Sequence, residues 1–100
     1  MSKKSPLAVA MLAFLPLASH AFGADPHIRL IASTCLNCHG PGGKSLGAVP
    51  GLAGQDQAYL LTAMKEQKSG TRETTVMRRY MNGYTEDEMA RLAEYFSSLK

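Results

Sequence analysis

The 100-residue sequence predicts a small all-α protein, with three to four short helices around a loop-rich middle. Apolar residues recur at three- and four-residue spacing in several segments, as on the buried face of a helix. Residues that favour helix starts precede these segments, and glycines follow several of them. No segment shows the strict apolar–polar alternation of a half-buried strand, and no internal repeat is visible.

The N-terminal residues have the pattern of a secretory signal peptide. Lys3 and Lys4 precede an apolar run over residues 6–18, and small residues follow at Ser19 and Ala21. We therefore expect a signal peptide over residues 1–21, with cleavage between residues 21 and 24, and a mature domain over residues 25–100. The run is shorter than the roughly 20 residues of a spanning helix, so we expect it to be part of a signal peptide and not a membrane anchor. No transmembrane segment is expected in the mature chain. The predicted location is the periplasm.

Charge is nearly balanced once the leader is set aside. The whole chain has 11 Lys and Arg against 8 Asp and Glu, and two of the lysines are in the leader. No lysine run or alternation of basic and aromatic residues is present, so nucleic acid is not an expected partner.

The first helix is expected to start at Asp25 and Pro26, because aspartate caps helix N-termini and proline fits the first helical position. Ile28, Ile31 and Cys35 then share one face at helical spacing.

A glycine- and proline-rich segment, Gly40 to Gly54, is expected to lack regular structure. So long a connection in so small a domain is usually functional or wrapped around something. Asp56 is expected to start the second helix, and Gly70 to end it. Its mostly apolar stripe comprises Tyr59, Leu60, Ala63, Met64 and Gln67.

The last helix has the clearest signals. Thr85 and Glu88 form a capping-box pair, and acidic residues fill the first turn. Between the second and last helices lies a short segment, residues 74–84, that breaks at Asn82-Gly83. The expected buried face of the last helix comprises Met89, Leu92, Ala93, Phe96 and Leu99.

Both cysteines of the chain lie in the stretch CLNCH, in which Cys35 and Cys38 are followed by His39. Cys-x-x-Cys-His is the attachment motif of c-type haem. The two thiols add across the two vinyl groups of the porphyrin, and the adjacent histidine ligates the iron. A thioredoxin-like dithiol needs a βαβ unit, and zinc needs four ligands, for which His27 would be the only other candidate. We interpret His27 as a surface residue, and the motif as the site of one covalent haem c.

The other axial position of the iron requires a second ligand if the protein is an electron carrier. Met64 and Met89 lie in apolar helical stripes, where core packing is the default. Met77 and Met81 remain, four residues apart in the short segment before the last helix. The residues alone leave both open, with Met77 weakly preferred; an open position would instead indicate a gas binder or a haem enzyme.

The order of these features resembles that of class I cytochromes c, over about residues 28–99. The stretches CHGPGGKS, PGLAGQDQAYL, KSGTRETTVM and LAEYF are similar to one domain of the bacterial dihaem cytochromes c. This resemblance implies a class I cytochrome c fold with Met77 as the distal ligand. It also implies that the carbonyl of Pro50 orients His39 through the ring N–H.

The stretch TTVMRRYMNGYTEDEMARLAEYF also resembles the haem subunit of flavocytochrome c sulfide dehydrogenase. The expected function is that of an exported monohaem carrier that exchanges single electrons with redox partner proteins. The resemblance implies an alternative role as the subunit that accepts electrons from a sulfide-oxidising flavoprotein. Catalysis of a substrate reaction is not expected from the chain alone. Many relatives have two haem domains, whereas this sequence has one attachment motif, which leaves the subunit role open.

Overall fold

The computed structural model describes residues 25–100, which form four α-helices and no strand. The helices are α1 (Pro26–His39), α2 (Gln57–Ser69), α3 (Met77–Met81) and α4 (Glu86–Ser98). The all-α class predicted from the sequence is confirmed. The predicted signal peptide, residues 1–21, lies outside the described residues.

Three of the helices begin at the capping side chains that the sequence predicts. The carboxylates of Asp25 and Asp56 accept hydrogen bonds from the amides of His27 and Tyr59, each at 2.9 Å. Thr85 and Glu88 form the complete capping box at the start of α4. Each cap satisfies amides that a helix N-terminus leaves without an intrahelical partner.

The apolar core lies where α1 and α2 pack against α4. At most 6% of each core side chain is exposed. The buried cluster comprises Ile28, Ala32, Leu60, Leu92, Ala93 and Phe96. Met81 and Met89 are also buried, outside this cluster.

A polar clasp joins the N-terminal ends of α1 and α4. The ring nitrogen Nε2 of His27 lies 2.8 Å from a carboxylate oxygen of Glu88. Beside this pair, Arg91 contacts Asp25 at 3.4 Å and Asp87 at 3.1 Å. His27 is exposed in the first turn of α1, as predicted, and it also helps to hold two helices together.

The connection from α1 to α2 is more ordered than predicted. It starts with a short 3-10 turn, Pro41–Gly43, whereas the sequence indicated no regular element here. The reason is backbone geometry: Pro41 presets the first turn, and positive φ at Gly42 and Gly43 closes it. The carbonyl of Gly43 then accepts hydrogen bonds from the amides of Leu52 and Ala53, at 2.7 and 3.0 Å.

The same connection is tied to the last helix. The amide of Gly54 donates to the carbonyl of Phe96 at 2.9 Å, and Gly43 passes close to the Phe96 ring. A Cβ added at Gly43 would lie 3.3 Å from that ring. These contacts hold the connection against the core. Over residues 25–100, none of the helices has the length and apolar character needed to span a bilayer.

Candidate functional site

A cavity of about 480 Å³ opens between α1, the α1–α2 connection, α2 and the segment that contains α3. Its lining is mostly apolar, with a few polar side chains, as in sites that bind organic cofactors. All the residues predicted to bind the cofactor line it. They are Cys35, Cys38, His39, Pro50, Met77 and Met81.

The last turns of α1 bring the two cysteines and the histidine to one wall of the cavity. Cys35 and Cys38 are three residues apart in a helix and His39 is four from Cys35, so all three share a face. Both cysteines are free thiols. Burial raises the pKa of the Cys35 thiol above its ordinary value, against a smaller lowering by a hydrogen bond with Thr34.

His39 is buried and its ring is fixed by the α1–α2 connection. Its Nδ1 lies 2.6 Å from the carbonyl oxygen of Pro50. Because a carbonyl can only accept, Nδ1 carries the proton, and Nε2 of the neutral ring has a lone pair. Nε2 has no hydrogen-bond partner among residues 25–100. This is the tautomer that a metal ligand needs, with its other nitrogen donating to a backbone carbonyl.

Gly40 makes this arrangement possible at the end of α1. Its φ of 92° and ψ of 161° turn the chain sharply after His39, while its amide donates to the carbonyl of Leu36 at 3.0 Å. A Cβ at this position would lie 2.1 Å from the carbonyl oxygen of Lys44. Only glycine therefore allows the connection to fold back and bring Pro50 to the histidine.

Two methionines of α3 lie at the cavity, as the sequence reasoning required. Met77 begins the helix and is partly exposed, whereas Met81 ends it and is 2% exposed. Met64 of α2 also lines the cavity while packing against the core. Met89 is 1% exposed and is not part of the lining, consistent with its predicted core role. The choice of Met77 over Met81 stays a prediction.

Sequence reasoning missed the polar side chains that line the cavity. Arg72 was not assigned a role, although it lies between the end of α2 and the methionine segment. The sequence contained a signal for Arg72, because it is the single cation between Gly70 and Met77, in a stretch that resembles the dihaem cytochromes. Three tyrosines also line the cavity, and Tyr84 lies 3.3 Å from the Thr34 hydroxyl next to Cys35.

The residues present fit haem c. Two free thiols and a histidine with an available Nε2 share one wall, and methionine thioethers lie elsewhere in the lining. The described part of the chain contains no group of three or more His, Cys, Asp or Glu side chains that could hold a metal ion by themselves. A macrocycle that carries its own iron needs only axial ligands from the protein.

Comparison with known proteins finds several bacterial cytochromes that are similar to this chain. The chain is 39% identical over 71 residues to the cytochrome subunit of sulfide dehydrogenase from Chlorobaculum tepidum, covering 71% of this chain and 64% of that protein. It is 37% identical to cytochrome c4 of Azotobacter vinelandii, covering 82% of this chain and 44% of that protein. Cytochrome c-554(548) of Halomonas halodenitrificans is 33% identical, over 65% of this chain and 83% of that protein.

The first two of these relatives are longer proteins, and the chain spans less than two thirds of the length of each. The family model for cytochrome c matches residues 29–100, a range that includes α2, α3, α4 and most of α1. The chain therefore belongs to the cytochrome c family, whose members bind haem c covalently and transfer electrons.

Proposed function

We propose that this chain is an exported monohaem cytochrome c with histidine and methionine as axial ligands. The observation that carries the proposal is the 2.6 Å contact from His39 Nδ1 to the Pro50 carbonyl, in a cavity that also contains Cys35, Cys38 and Met77. The contact prepares a neutral imidazole for iron, and the other residues supply the anchors and the opposite ligand.

The cysteines would hold the cofactor as thioethers. Each thiol adds across one vinyl double bond: a carbon–sulfur bond forms, the thiol hydrogen goes to the other vinyl carbon, and nothing is released. When bound, haem supplies an iron that takes one electron from a reduced donor, becoming Fe(II), and gives it to an oxidised acceptor, returning to Fe(III).

The protein would assist electron transfer by keeping the haem site unchanged between the Fe(II) and Fe(III) states. The Pro50 carbonyl holds the His39 ring in one orientation. Cys35 and Cys38 would hold one edge of the macrocycle through their thioether bonds. Met77 would fill the opposite position with a soft sulfur, which suits Fe(II) and raises the reduction potential. The mostly apolar lining would limit the access of water to the bound haem.

The ligand assignment is tested by a pair of variants. We expect Met77→Ala to abolish the sulfur-to-iron charge-transfer band of the ferric protein, because the distal sulfur is removed. Met81→Ala, four residues along the same helix, is the matched control and should keep the band. Loss of the band in Met81→Ala alone would move the ligand to Met81. A five-coordinate, high-spin ferrous wild type that binds CO readily would indicate a gas binder or a haem enzyme instead.

Export to the periplasm belongs to the same proposal. The leader over residues 1–21 has the composition of a signal peptide, and covalent haem attachment takes place outside the cytoplasm. The mass of the purified holoprotein tests it. We expect a chain that starts between residues 22 and 25 and carries one haem; retention of the leader would contradict export by cleavage.

A second candidate role is that of a subunit docked on a flavoprotein. Its support is the relative from Chlorobaculum tepidum, which is named as the cytochrome subunit of a sulfide dehydrogenase. Purification from the source organism separates the two roles. A one-to-one complex with a flavin protein would establish the subunit, and a free monomeric cytochrome would favour the independent carrier.

A further inference from the structure

A lysine of α2 is tied to the far end of the methionine segment, residues 74–84. The ammonium group of Lys68 donates a hydrogen bond to the backbone carbonyl of Tyr84, which lies between α3 and α4. Lys68 is partly buried and has no carboxylate within ion-pair distance among residues 25–100. The carbonyl of Tyr84 is therefore the polar partner that the folded chain gives to this charge.

Tyr84 is the residue on which three helices converge. Its carbonyl accepts from Lys68 of α2, and its amide donates to the carbonyl of Met81, the last residue of α3, at 3.1 Å. Its hydroxyl lies 3.3 Å from Thr34 Oγ1 of α1. Thr34 Oγ1 donates its own hydrogen to the carbonyl of Ile31 at 2.7 Å, so the Tyr84 hydroxyl is the donor to Thr34. We refer to Lys68, Tyr84 and Thr34 together as the latch.

The methionine segment has few other attachments. Its helix, α3, starts without a side-chain cap and packs mainly on α2. Met81 is buried, but no residue of α3 belongs to the main apolar cluster. Segments with few contacts to the core open at a lower free energy than the core itself. The latch is thus placed where the chain has the least apolar packing to keep the cavity closed.

Closure of this segment matters for the iron, because the segment contains both candidate distal ligands. A small ligand from solvent can take the distal position only in molecules whose methionine has left it, so its apparent affinity follows the open fraction. We propose that Lys68 is a positioning residue that acts through Tyr84 to keep the methionine segment closed and so limits replacement of the distal sulfur by small ligands. The inference rests on the proposed haem binding, and it holds for either Met77 or Met81 as the ligand.

Imidazole binding to the ferric holoprotein tests the proposal, because replacement of the sulfur removes the sulfur-to-iron charge-transfer band. In Lys68→Leu, we expect imidazole to bind about five- to thirtyfold more tightly, since the closed form loses a hydrogen bond from a charged donor at a partly exposed site. Leucine favours a helix as strongly as lysine but has no donor. Lys68→Arg keeps a charged donor and should recover most of the difference. An affinity in Lys68→Leu within about twofold of the wild type would overturn the proposal.

Lys65→Leu is the matched control for the loss of charge. Lys65 lies one turn earlier in α2, is exposed and, like Lys68, is outside the cavity lining. Its replacement changes the net charge by the same amount and leaves the latch intact, so the imidazole affinity should stay at that of the wild type. An equal increase in Lys65→Leu and Lys68→Leu would assign the effect to the charge of α2 and contradict the latch.

Tyr84→Phe tests the connection to α1. This variant removes the hydroxyl that donates to Thr34 and keeps the carbonyl that accepts from Lys68. We expect a smaller increase in imidazole affinity, about two- to fivefold, because a neutral hydrogen bond is weaker than a charge-assisted one. Tyr95→Phe, which removes a hydroxyl of α4 outside the lining, is its control and should have no effect. Equal affinities in Tyr84→Phe and the wild type would exclude Thr34 from the latch.

A variant of the clasp between α1 and α4 separates the latch from a general loss of stability. His27→Ala removes the contact with Glu88 and should lower the free energy of unfolding of the holoprotein. It should leave the imidazole affinity unchanged, because the clasp stays formed while the methionine segment opens. If imidazole binding instead followed the free energy of unfolding in both His27→Ala and Lys68→Leu, Lys68 would be a general stabiliser and the proposal would be wrong. Failure of the proposed function is distinct, because the wild type itself would then lack covalent haem or the sulfur-to-iron band.

Discussion

At the scale of single residues, Gly40 has the most demanding backbone position near the site. Its φ and ψ lie in a region that only glycine adopts readily, and a Cβ would overlap the Lys44 carbonyl at 2.1 Å. The residue directly follows His39, so any shift at Gly40 moves the histidine and its partner Pro50.

We expect Gly40→Ala to lower the free energy of unfolding by about 1–3 kcal/mol from backbone conformation alone, and the Lys44 contact adds to this loss. Chemical denaturation of the holoprotein measures the change. Gly47→Ala in the same connection is the control, because its φ is not positive and a Cβ there would have no atom within 4 Å. A loss in Gly47→Ala as large as that in Gly40→Ala would contradict this explanation.

The residues of the attachment motif could be predicted from the sequence more easily than side chains whose position depends on how the chain folds. Cys35, Cys38 and His39 were predicted from spacing alone, because the chemistry of attachment fixes that spacing, and the structure places all three in the cavity lining. The place of Arg72 in the cavity lining was not predicted, since it depends on how Gly70 redirects the chain after α2. A single arginine in a sequence does not indicate whether it returns to a cavity or extends into solvent.

At the scale of helices, the clasp between α1 and α4 couples two N-terminal ends that both start with strong caps. Glu88 has two roles in it, since one carboxylate oxygen accepts from the Thr85 amide and the other contacts His27. These interactions lower the pKa of Glu88, with the Thr85 amide as the largest cause. The contact with the Thr85 amide and the contact with His27 both favour the ionised form of the Glu88 carboxyl group.

A carboxyl group with a lowered pKa in the folded state stabilises the fold above its unfolded pKa and loses that effect as pH falls through the folded pKa. We therefore expect Glu88→Gln to be less stable than the wild type at pH 7. The difference should shrink as the pH falls below the ordinary glutamate pKa of about 4.3 and through the lowered pKa of Glu88. Urea denaturation of both proteins at a series of pH values measures the effect.

Glu86→Gln is the matched control for this pH dependence. Glu86 lies in the same helical turn but makes no side-chain hydrogen bond among the described residues. It should show a weaker dependence on pH. An equal dependence in both variants would assign the effect to the helix dipole rather than to the contacts of Glu88.

Helix ends were predictable because capping is local. Asp25, Asp56 and Thr85 each satisfy amides within three residues, so the sequence contains the whole signal. The 3-10 turn at Pro41–Gly43 was not predicted, because it depends on positive φ values that glycine permits but does not require. The five-residue α3 likewise has no side-chain cap to mark its start.

At the scale of the whole molecule, the apolar core is small. Eight hydrophobic side chains are buried among residues 25–100, beside a cavity of about 480 Å³. Small domains often depend on a cofactor to complete their core. The macrocycle would supply apolar surface that the chain itself lacks.

We expect the chain without haem, obtained with Cys35→Ala and Cys38→Ala together, to have less helix and a broad, weakly cooperative thermal transition. Lining residues such as Leu60 and Met64 would then lose the apolar surface they pack against. Circular dichroism at increasing temperature measures both properties. A sharp transition with full helix content would show that the four helices are stable by themselves.

The placement of α3 has a consequence for how such proteins diversify. α3 packs mainly on α2, and none of its residues belongs to the main apolar cluster. Substitution of Tyr80, which lies between the two methionines and lines the cavity, is therefore expected to alter the surroundings of the haem at little expense to folding. The chemical environment of the cofactor can thus be changed in one short segment, while the contacts among α1, α2 and α4 that form the core stay as they are.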